Sequence, residues 1–289
     1  MKPAPFDYVA PGTIDEACTV LAQAGGGATV LAGGQTLMPL LNLRMSQPFI
    51  VVDITRIAEL QGIRRADGCT RIGPVTRQCE LIASEVLARD LPVLVQAVRH
   101  VGHHQTRNRG TVGGSIALGE PAAELPAAAV ALGATIEARS TRGTRRIPAG
   151  EFYLGPYMTT LEADELVTGI TFPDWPPGHV TLFRELAQRP GDFALVGMVG
   201  ALALEGGRIA RAGIAWFGMG PTPIRAQAAE QMLLGQLPAA IDARGVAERA
   251  VADTAPFDDL RASADYRRTV GKRIFAGTLR EALHIGEAA

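Results

Sequence analysis

Two stretches of this sequence place small residues where chemistry would need uncovered backbone. The first is VLAGGQTL, residues 30–37, in which an apolar run reaches Gly33 and Gly34 and then polar Gln35 and Thr36. The second is RNRGTVGGS, residues 107–115, followed by GEPAAELP at 119–126. Consecutive glycines leave backbone N–H groups open and permit positive φ, so successive amides can converge on an anion such as a phosphate. A helix start just beyond adds its dipole, and LMPLLNLR after the first loop reads as helical. Thr111, Gly113, Gly114 and Ser115 repeat the combination of small residues and hydroxyls. A glycine pair taken singly usually marks a turn. Two such loops, each ending a strand-like or helical segment, are what a diphosphate-bridged cofactor gripped from both sides requires.

The charged residues around the second loop have two readings each. Glu120 and Glu124 are poor neighbours for a diphosphate, because like charges repel in a desolvated site. They suit hydroxyl or N–H donors instead, while Glu120 followed by Pro121 also fits an ordinary helix start. Arg107 and Arg109 fit a phosphate, a solvated surface or a subunit interface.

Other motifs fail on inspection. GMGPTP at 218–223 begins as G-x-G but puts Pro223 where a dinucleotide fingerprint needs its third glycine. Gly271-Lys272 is followed by arginine and lacks the upstream glycine of a phosphate-binding P-loop. His100, His103 and His104 have i, i+3, i+4 spacing, yet no carboxylate accompanies them and a glycine interrupts, so a polar helix end is the reading and no metal site is assigned. No G-x-S-x-G occurs, and Cys18, Cys69 and Cys79 match no C-x-x-C spacing, which disfavours disulfides, zinc, cysteine-ligated clusters and c-type haem. No self-contained hydrolytic or acid–base set is present, and no catalytic residue is assigned.

Strand-like runs surround the two loops: TVLAGG near residue 30, FIVVDI at 49–54, TRIGPV at 70–75 and ATIEARS at 134–140. IDEACTVLAQAG and ELIASEVLARDLPVLVQAVRHVG read as amphipathic helices between them. The alternation predicts α+β or α/β. FPDWPPG at 172–178 reads as a linker, after which ALVGMVGALALEGGRIARAGIAWFG reads as strands joined by a Gly206-Gly207 hairpin. QAAEQMLLGQ and the last thirty or so residues read as helical. At 289 residues with Lys+Arg 28 against Asp+Glu 29, the chain has room for two domains and carries no basic tract, so neither nucleic acid nor a membrane surface is implied as partner. No apolar run approaches the roughly 18 residues of a membrane span, and MKPAPFDYV holds no signal-like apolar core, so the expected location is the cytoplasm.

In these residues the chain resembles the FAD-binding medium subunit of the molybdenum hydroxylases, the group that includes xanthine dehydrogenase and carbon monoxide dehydrogenase. FDYVAPGTIDEA (6–17), AGGQTLMPLLNLR (32–44), QTRNRGTVGGSIA (105–117), PAAELP (121–126), TTLEADELVTGITFP (159–173), RELAQRPGDFALV (184–196), GPTPIRAQAAEQMLLG (220–235) and ADYRRTVGKRI (264–274) carry the resemblance. It implies a two-lobed FAD-binding domain of the vanillyl-alcohol oxidase type over residues 1–176, with lobes of about 1–56 and 57–176. A smaller C-terminal α+β domain over 177–289 follows.

The same resemblance implies site residues. The first diphosphate loop falls on Val30, Leu31, Ala32, Gly33, Gly34, Gln35, Thr36 and Leu37, and the second on Thr111, Val112, Gly113, Gly114 and Ser115. Val101 falls at a flavin contact and Glu124 at a flavin-side acid. Val167 falls at an apolar position near the adenine or ring, and Arg184 at a cationic position. Relatives usually read A-D-P-A-x-D where this chain has Gly119-Glu120-Pro121 and Glu124, which moves each carboxylate by a methylene. The implied function is electron transfer: an iron–sulfur subunit delivers electrons to FAD, which passes them to an external acceptor. Molybdopterin and 2Fe-2S clusters then belong to a large and a small partner subunit, in a dimer of heterotrimers. Two alternatives remain at this level: a free-standing FAD oxidoreductase with its own substrate, and a binding module without redox activity.

Overall fold

The computed structural model describes residues 2–285. The chain begins with β1 (Asp7–Val9), α1 (Ile14–Ala24), β2 (Ala28–Leu31), α2 (Leu37–Asn42) and β3 (Ile50–Asp53). The three strands form a parallel sheet in the order β1-β3-β2, closed by α1 over a small core of Ala17, Leu21, Val52 and Ile57. Thr13 caps α1, its hydroxyl accepting the Glu16 N–H at 3.2 Å. Because the strands are parallel, their carboxyl ends share one edge, and the Ala32–Thr36 loop leaves from that edge.

The next stretch runs β4 (Ile63–Ala66), β5 (Cys69–Ile72), α3 (Gln78–Ala83), α4 (Glu85–Asp90), α5 (Pro92–His100), α6 (His104–Arg107), α7 (Val112–Leu118) and α8 (Glu124–Leu132). It continues through β6 (Thr135–Ser140), β7 (Gly143–Pro148), α9 (Ala149–Phe152), β8 (Tyr153–Gly155), β9 (Met158–Thr159) and β10 (Leu166–Pro173). An antiparallel sheet of order β4-β5-β10-β6-β7 results. The single helix expected across residues 80–102 is in fact α3, α4 and α5. Ser84 ends one and caps the next, accepting the Leu87 N–H, and Pro92 lacks the N–H that would continue α4 and so opens α5 at its first turn.

The remainder forms β11 (Val180–Leu186), β12 (Val196–Glu205), β13 (Arg208–Phe217), β14 (Ile224–Arg225), α10 (Gln227–Leu233), α11 (Ala243–Ala252) and α12 (Ala264–Leu283). The hairpin expected at Gly206-Gly207 is present, both glycines having positive φ (56° and 77°), the geometry of a type I′ turn. One face of this sheet packs on α10 and α12. The other receives α8 and α5, so Val199, Ala201, Ala215 and Phe217 join Leu94, Leu125, Ile136 and Ile170 in one core. All nine residues of α8 are buried. Gly213 of β13 lets the helix approach, since a Cβ there would stand 2.2 Å from the Ala131 carbonyl oxygen. Among the described residues no helix is long and apolar enough to cross a membrane.

Candidate functional site

The first small-residue loop meets the expectation of open backbone. Among the described residues, none of the N–H groups from Ala32 through Leu37 donates to a protein acceptor, whereas the flanking Ile54 N–H donates to the Leu31 carbonyl at 3.0 Å. Thr36 makes no capping bond from its side chain, so the start of α2 is left open as well. Gly34 sits at φ 70°, which turns the chain from β2 into α2. Six successive donors without partners are costly unless water or a ligand answers them.

The second loop crosses the first at Gly33. A Cβ on Gly33 would lie 2.5 Å from the Arg109 carbonyl oxygen, 2.8 Å from Gly110 Cα and 3.0 Å from the Thr111 nitrogen. Gly33 is therefore small because another backbone passes over it. The sequence could pair the loops only by analogy with a two-sided grip, and in the fold they touch.

The amides of the second loop are not bare, which corrects the physical basis of that expectation. The Val112 N–H donates to Thr76 O (3.0 Å), Gly113 N–H to Pro74 O (2.8 Å), Gly114 N–H to Thr111 Oγ1 (3.2 Å) and Ser115 N–H to Thr111 O (3.2 Å). These residues open α7 with Thr111 as its cap, and the helix start docks against the segment after β5, whose carbonyls take the donors. Gly113 accommodates Pro74, whose Cβ a methyl would meet at 2.3 Å. What the second loop still offers a ligand is the Thr111 N–H and the Ser115 hydroxyl, neither of which has a partner among the described residues, and the side chain of Arg109.

Beside the crossing lies a cavity of about 330 Å³ lined by Ala32, Thr55, Val75, Arg77, Arg109 and Thr111, among others. Arg77 was invisible as a site residue, because it belongs to no glycine loop. It arrives through an antiparallel bridge to Thr111, supported by the Gln78 N–H donating to Gly110 O at 2.9 Å. Two arginines at the mouth of an open amide row suit an anionic ligand.

Arg107 turns inward: its Nη1 donates to the carbonyls of Val101 and Gly102, both at 2.9 Å, and braces the turn after α5. Glu120 does not start a helix, since α8 begins at Glu124. Its carboxylate accepts the Ala122 N–H (3.0 Å) and the Tyr157 hydroxyl, and burial followed by that bond pushes the Tyr157 phenol up to about 12. Glu124, the first residue of α8, is only 5% exposed, and burial first, then the nearby Glu185, pushes its carboxyl up to about 8.

Val101 ends α5 half-buried, on the turn that Arg107 holds. Two expected residues stand apart from the loops. Val167 is 4% exposed in the main core, opposite Ala138 in the β6–β10 ladder, so its side chain is spent on packing. Arg184 is exposed on β11 and paired with Glu281 of α12. The three histidines do not share a helix: His100 ends α5, Gly102 at φ 49° breaks the chain, and His103 and His104 start α6. No group of three or more metal-capable side chains is found among the described residues.

Residues 4–175 match the family model described as the FAD binding domain in molybdopterin dehydrogenase, and residues 181–282 match the CO dehydrogenase flavoprotein C-terminal domain. The chain is 39% identical over 285 residues to the 6-hydroxypseudooxynicotine dehydrogenase complex subunit alpha of Paenarthrobacter nicotinovorans, covering 98% of this chain and 96% of that one. It is 35% identical to the carbon monoxide dehydrogenase medium chain of Hydrogenophaga pseudoflava, with 98% of each covered. In structure it superposes on a chain of carbon monoxide dehydrogenase from Hydrogenophaga pseudoflava with a TM-score of 0.95 at 37% identity, covering 98% of this chain and 99% of that one. Quinoline 2-oxidoreductase from Pseudomonas putida 86 gives a TM-score of 0.91 at 34% identity, with 98% and 99% covered.

Proposed function

The chain belongs to the FAD-binding medium-subunit family of the molybdenum hydroxylases, and from that membership we propose that it is the FAD-carrying electron-transfer subunit of a multi-subunit dehydrogenase. The observation that carries the reading in this molecule is the open amide row from Ala32 to Leu37, crossed at Gly33 by the second loop and flanked by Arg77 and Arg109. An FAD diphosphate fits that donor set: it is an anion with several acceptor oxygens that open N–H groups can answer.

In this reading Val30 through Leu37 hold one side of the diphosphate, and Thr111 with Ser115 and Arg109 closes the other. Val112, Gly113 and Gly114 shape that second loop by docking α7. Val101 and Glu124 lie toward the flavin, while Val167 and Arg184 support the fold around it. The flavin, when bound, supplies the redox chemistry that the side chains lack. This chain binds and orients it.

The electrons come from an iron–sulfur partner and leave to an external acceptor, with molybdopterin on a large partner subunit. The relatives named above as medium chain or complex subunit support partner subunits. A dimer of heterotrimers in the cytoplasm, and division of the chain into residues 1–176 (lobes of about 1–56 and 57–176) and 177–289, complete the proposal.

The test is the absorption spectrum of the purified chain followed by co-purification. A flavin spectrum without cluster absorption, together with recovery of iron–sulfur and molybdenum-containing subunits from the native host, is expected. A colourless chain indifferent to FAD overturns the cofactor assignment, and substrate turnover by the isolated chain overturns the electron-transfer role.

A further inference from the structure

A cavity of about 500 Å³ lies in the C-terminal part of the chain, between the segment leaving β11 and the segment entering α12. Leu186, Gln188 and Leu195 line it from the first segment, and Arg261, Ser263 and Tyr266 from the second. It shares no lining residue with the cavity beside the crossed loops. Its volume is that of a site for a small organic molecule.

One buried cation fastens the two walls together. The Leu195 N–H donates to the Leu186 carbonyl at 2.8 Å and closes the loop between them. Arg267 of α12, 3% exposed, donates from Nη1 to the Leu195 carbonyl and, at 3.1 Å, to that of Gly218. Its Nη2 donates to Asp259 Oδ2 at 2.8 Å, while Asp259 Oδ1 accepts the N–H groups of Arg261 (2.8 Å) and Ala262 (2.9 Å). The Arg267 guanidinium thus ties the Leu195 wall to the turn that carries Arg261. A cavity whose walls are already held costs a ligand little ordering entropy.

The lining selects the chemistry of what enters. Arg261 is the one charged side chain among the residues that line the cavity. Arg261 and Tyr266 make their hydrogen bonds through the backbone, which leaves the guanidinium and the phenol open. The Ser263 hydroxyl accepts the Tyr266 N–H at 3.2 Å, so its own proton is free to donate. The acids of the same segment are engaged elsewhere: Asp258 accepts the Ala264 N–H at 2.6 Å, Asp259 is filled by Arg261, Ala262 and Arg267, and Asp265 pairs with Arg268 at 3.1 Å. Leu186, Leu195 and the half-exposed Tyr266 ring supply apolar surface. We propose that this cavity is a ligand site of its own, for a small aromatic anion whose flat body lies against Leu186, Leu195 and Tyr266 and whose carboxylate is answered by Arg261 and Ser263. The loop that forms one wall also rests on the cap of α6, since a Cβ on Gly191 would meet the His103 ring at 2.4 Å.

The experiment is a calorimetric titration of the full chain, with and without added FAD, using naphthoate as the probe and naphthylmethanol as its uncharged counterpart. The native chain should bind naphthoate equally well in both forms, and the neutral probe about tenfold more weakly. Arg261→Ala should weaken naphthoate binding by about tenfold or more, and Tyr266→Ala by about threefold, with FAD content unchanged. Both side chains are exposed, so neither truncation removes core packing, and Arg244→Ala, exposed on α11, should bind as the native chain does. Saturating naphthoate should also slow amide exchange across residues 187–195. No binding at concentrations on the order of 10 mM, unchanged binding in Arg261→Ala, or displacement of the probe by FAD overturns the site. Equal affinity for the neutral probe overturns its preference for an anion.

Discussion

Replacing Gly33 with alanine is the sharpest test of the crossed loops. A methyl there would stand 2.5 Å from the Arg109 carbonyl oxygen and 3.0 Å from the Thr111 nitrogen. Carbon–oxygen contacts settle at about 3.3 Å or more, so the loops must part by roughly 0.8 Å. Overpacking of this kind costs about 1–3 kcal/mol of stability. The cost to the ligand is larger, because the displaced strand carries the Thr111 N–H and Arg109 away from the open amide row. Losing two charge-assisted hydrogen bonds at about 1.5–3 kcal/mol each weakens binding by roughly 10²–10⁴-fold. Fluorescence-quenching titration of the apoprotein with FAD, run beside a melting curve, reads both effects. Gly150→Ala is the control, since a Cβ there meets nothing within 4 Å. If Gly33→Ala binds FAD within threefold of the native chain, the loop crossing does not organise the site and the reasoning fails.

Three other outcomes are expected. Arg107→Ala should cost about 1.5–3 kcal/mol and raise amide exchange at 101–103, because two carbonyls lose a cationic donor; hydrogen exchange that stays native there would contradict the brace. Glu124 binds its proton more tightly folded than unfolded, its carboxyl moving from 4.5 to about 8, so its contribution is full below about pH 4.5 and is lost as pH rises through 8. The melting temperature of Glu124→Gln minus that of the native chain should therefore grow between pH 5 and 8, by an amount equivalent to a few kcal/mol at most, and a flat difference would refute the buried acid. Gly277→Ala on α12 meets nothing within 4 Å and should stabilise the chain by about 0.5–1 kcal/mol, visible as a higher melting temperature.

The local rules that worked in the sequence were those with a short-range cause. The apolar runs on either side of Gly206-Gly207 and the run into Gly33-Gly34 located β12, β13 and the first loop, because turn chemistry is written in adjacent residues. The failures were non-local. β10 reads as a buried apolar run with no alternation, so nothing in its own residues marked it as the centre of a five-stranded sheet. Of the open amides expected in the second loop, those of Val112 and Gly113 were consumed by Thr76 and Pro74, far away in sequence, and those of Gly114 and Ser115 by Thr111 as it caps α7. Arg77 reached the cavity through its bridge to Thr111. Pattern locates donors and acceptors, but which of them remain unspent depends on packing.

The burial of α8 bears on how such chains can be recombined. Its small residues lie directly on β13, with the Ala131 carbonyl seated over Gly213, and the Gly218 N–H reaches back to the Pro121 carbonyl at 2.9 Å. The apparent seam at Asp174–His179 is therefore a seam of the backbone alone. A chimera joined there between two relatives would mate a helix from one parent with a sheet from the other, and any side chain at 213 larger than hydrogen would lift the whole helix and tilt Glu124 with it. Exchange becomes safe only when the stretch from Pro121 to Leu132 travels with the C-terminal sheet, so the heritable module is discontinuous in sequence.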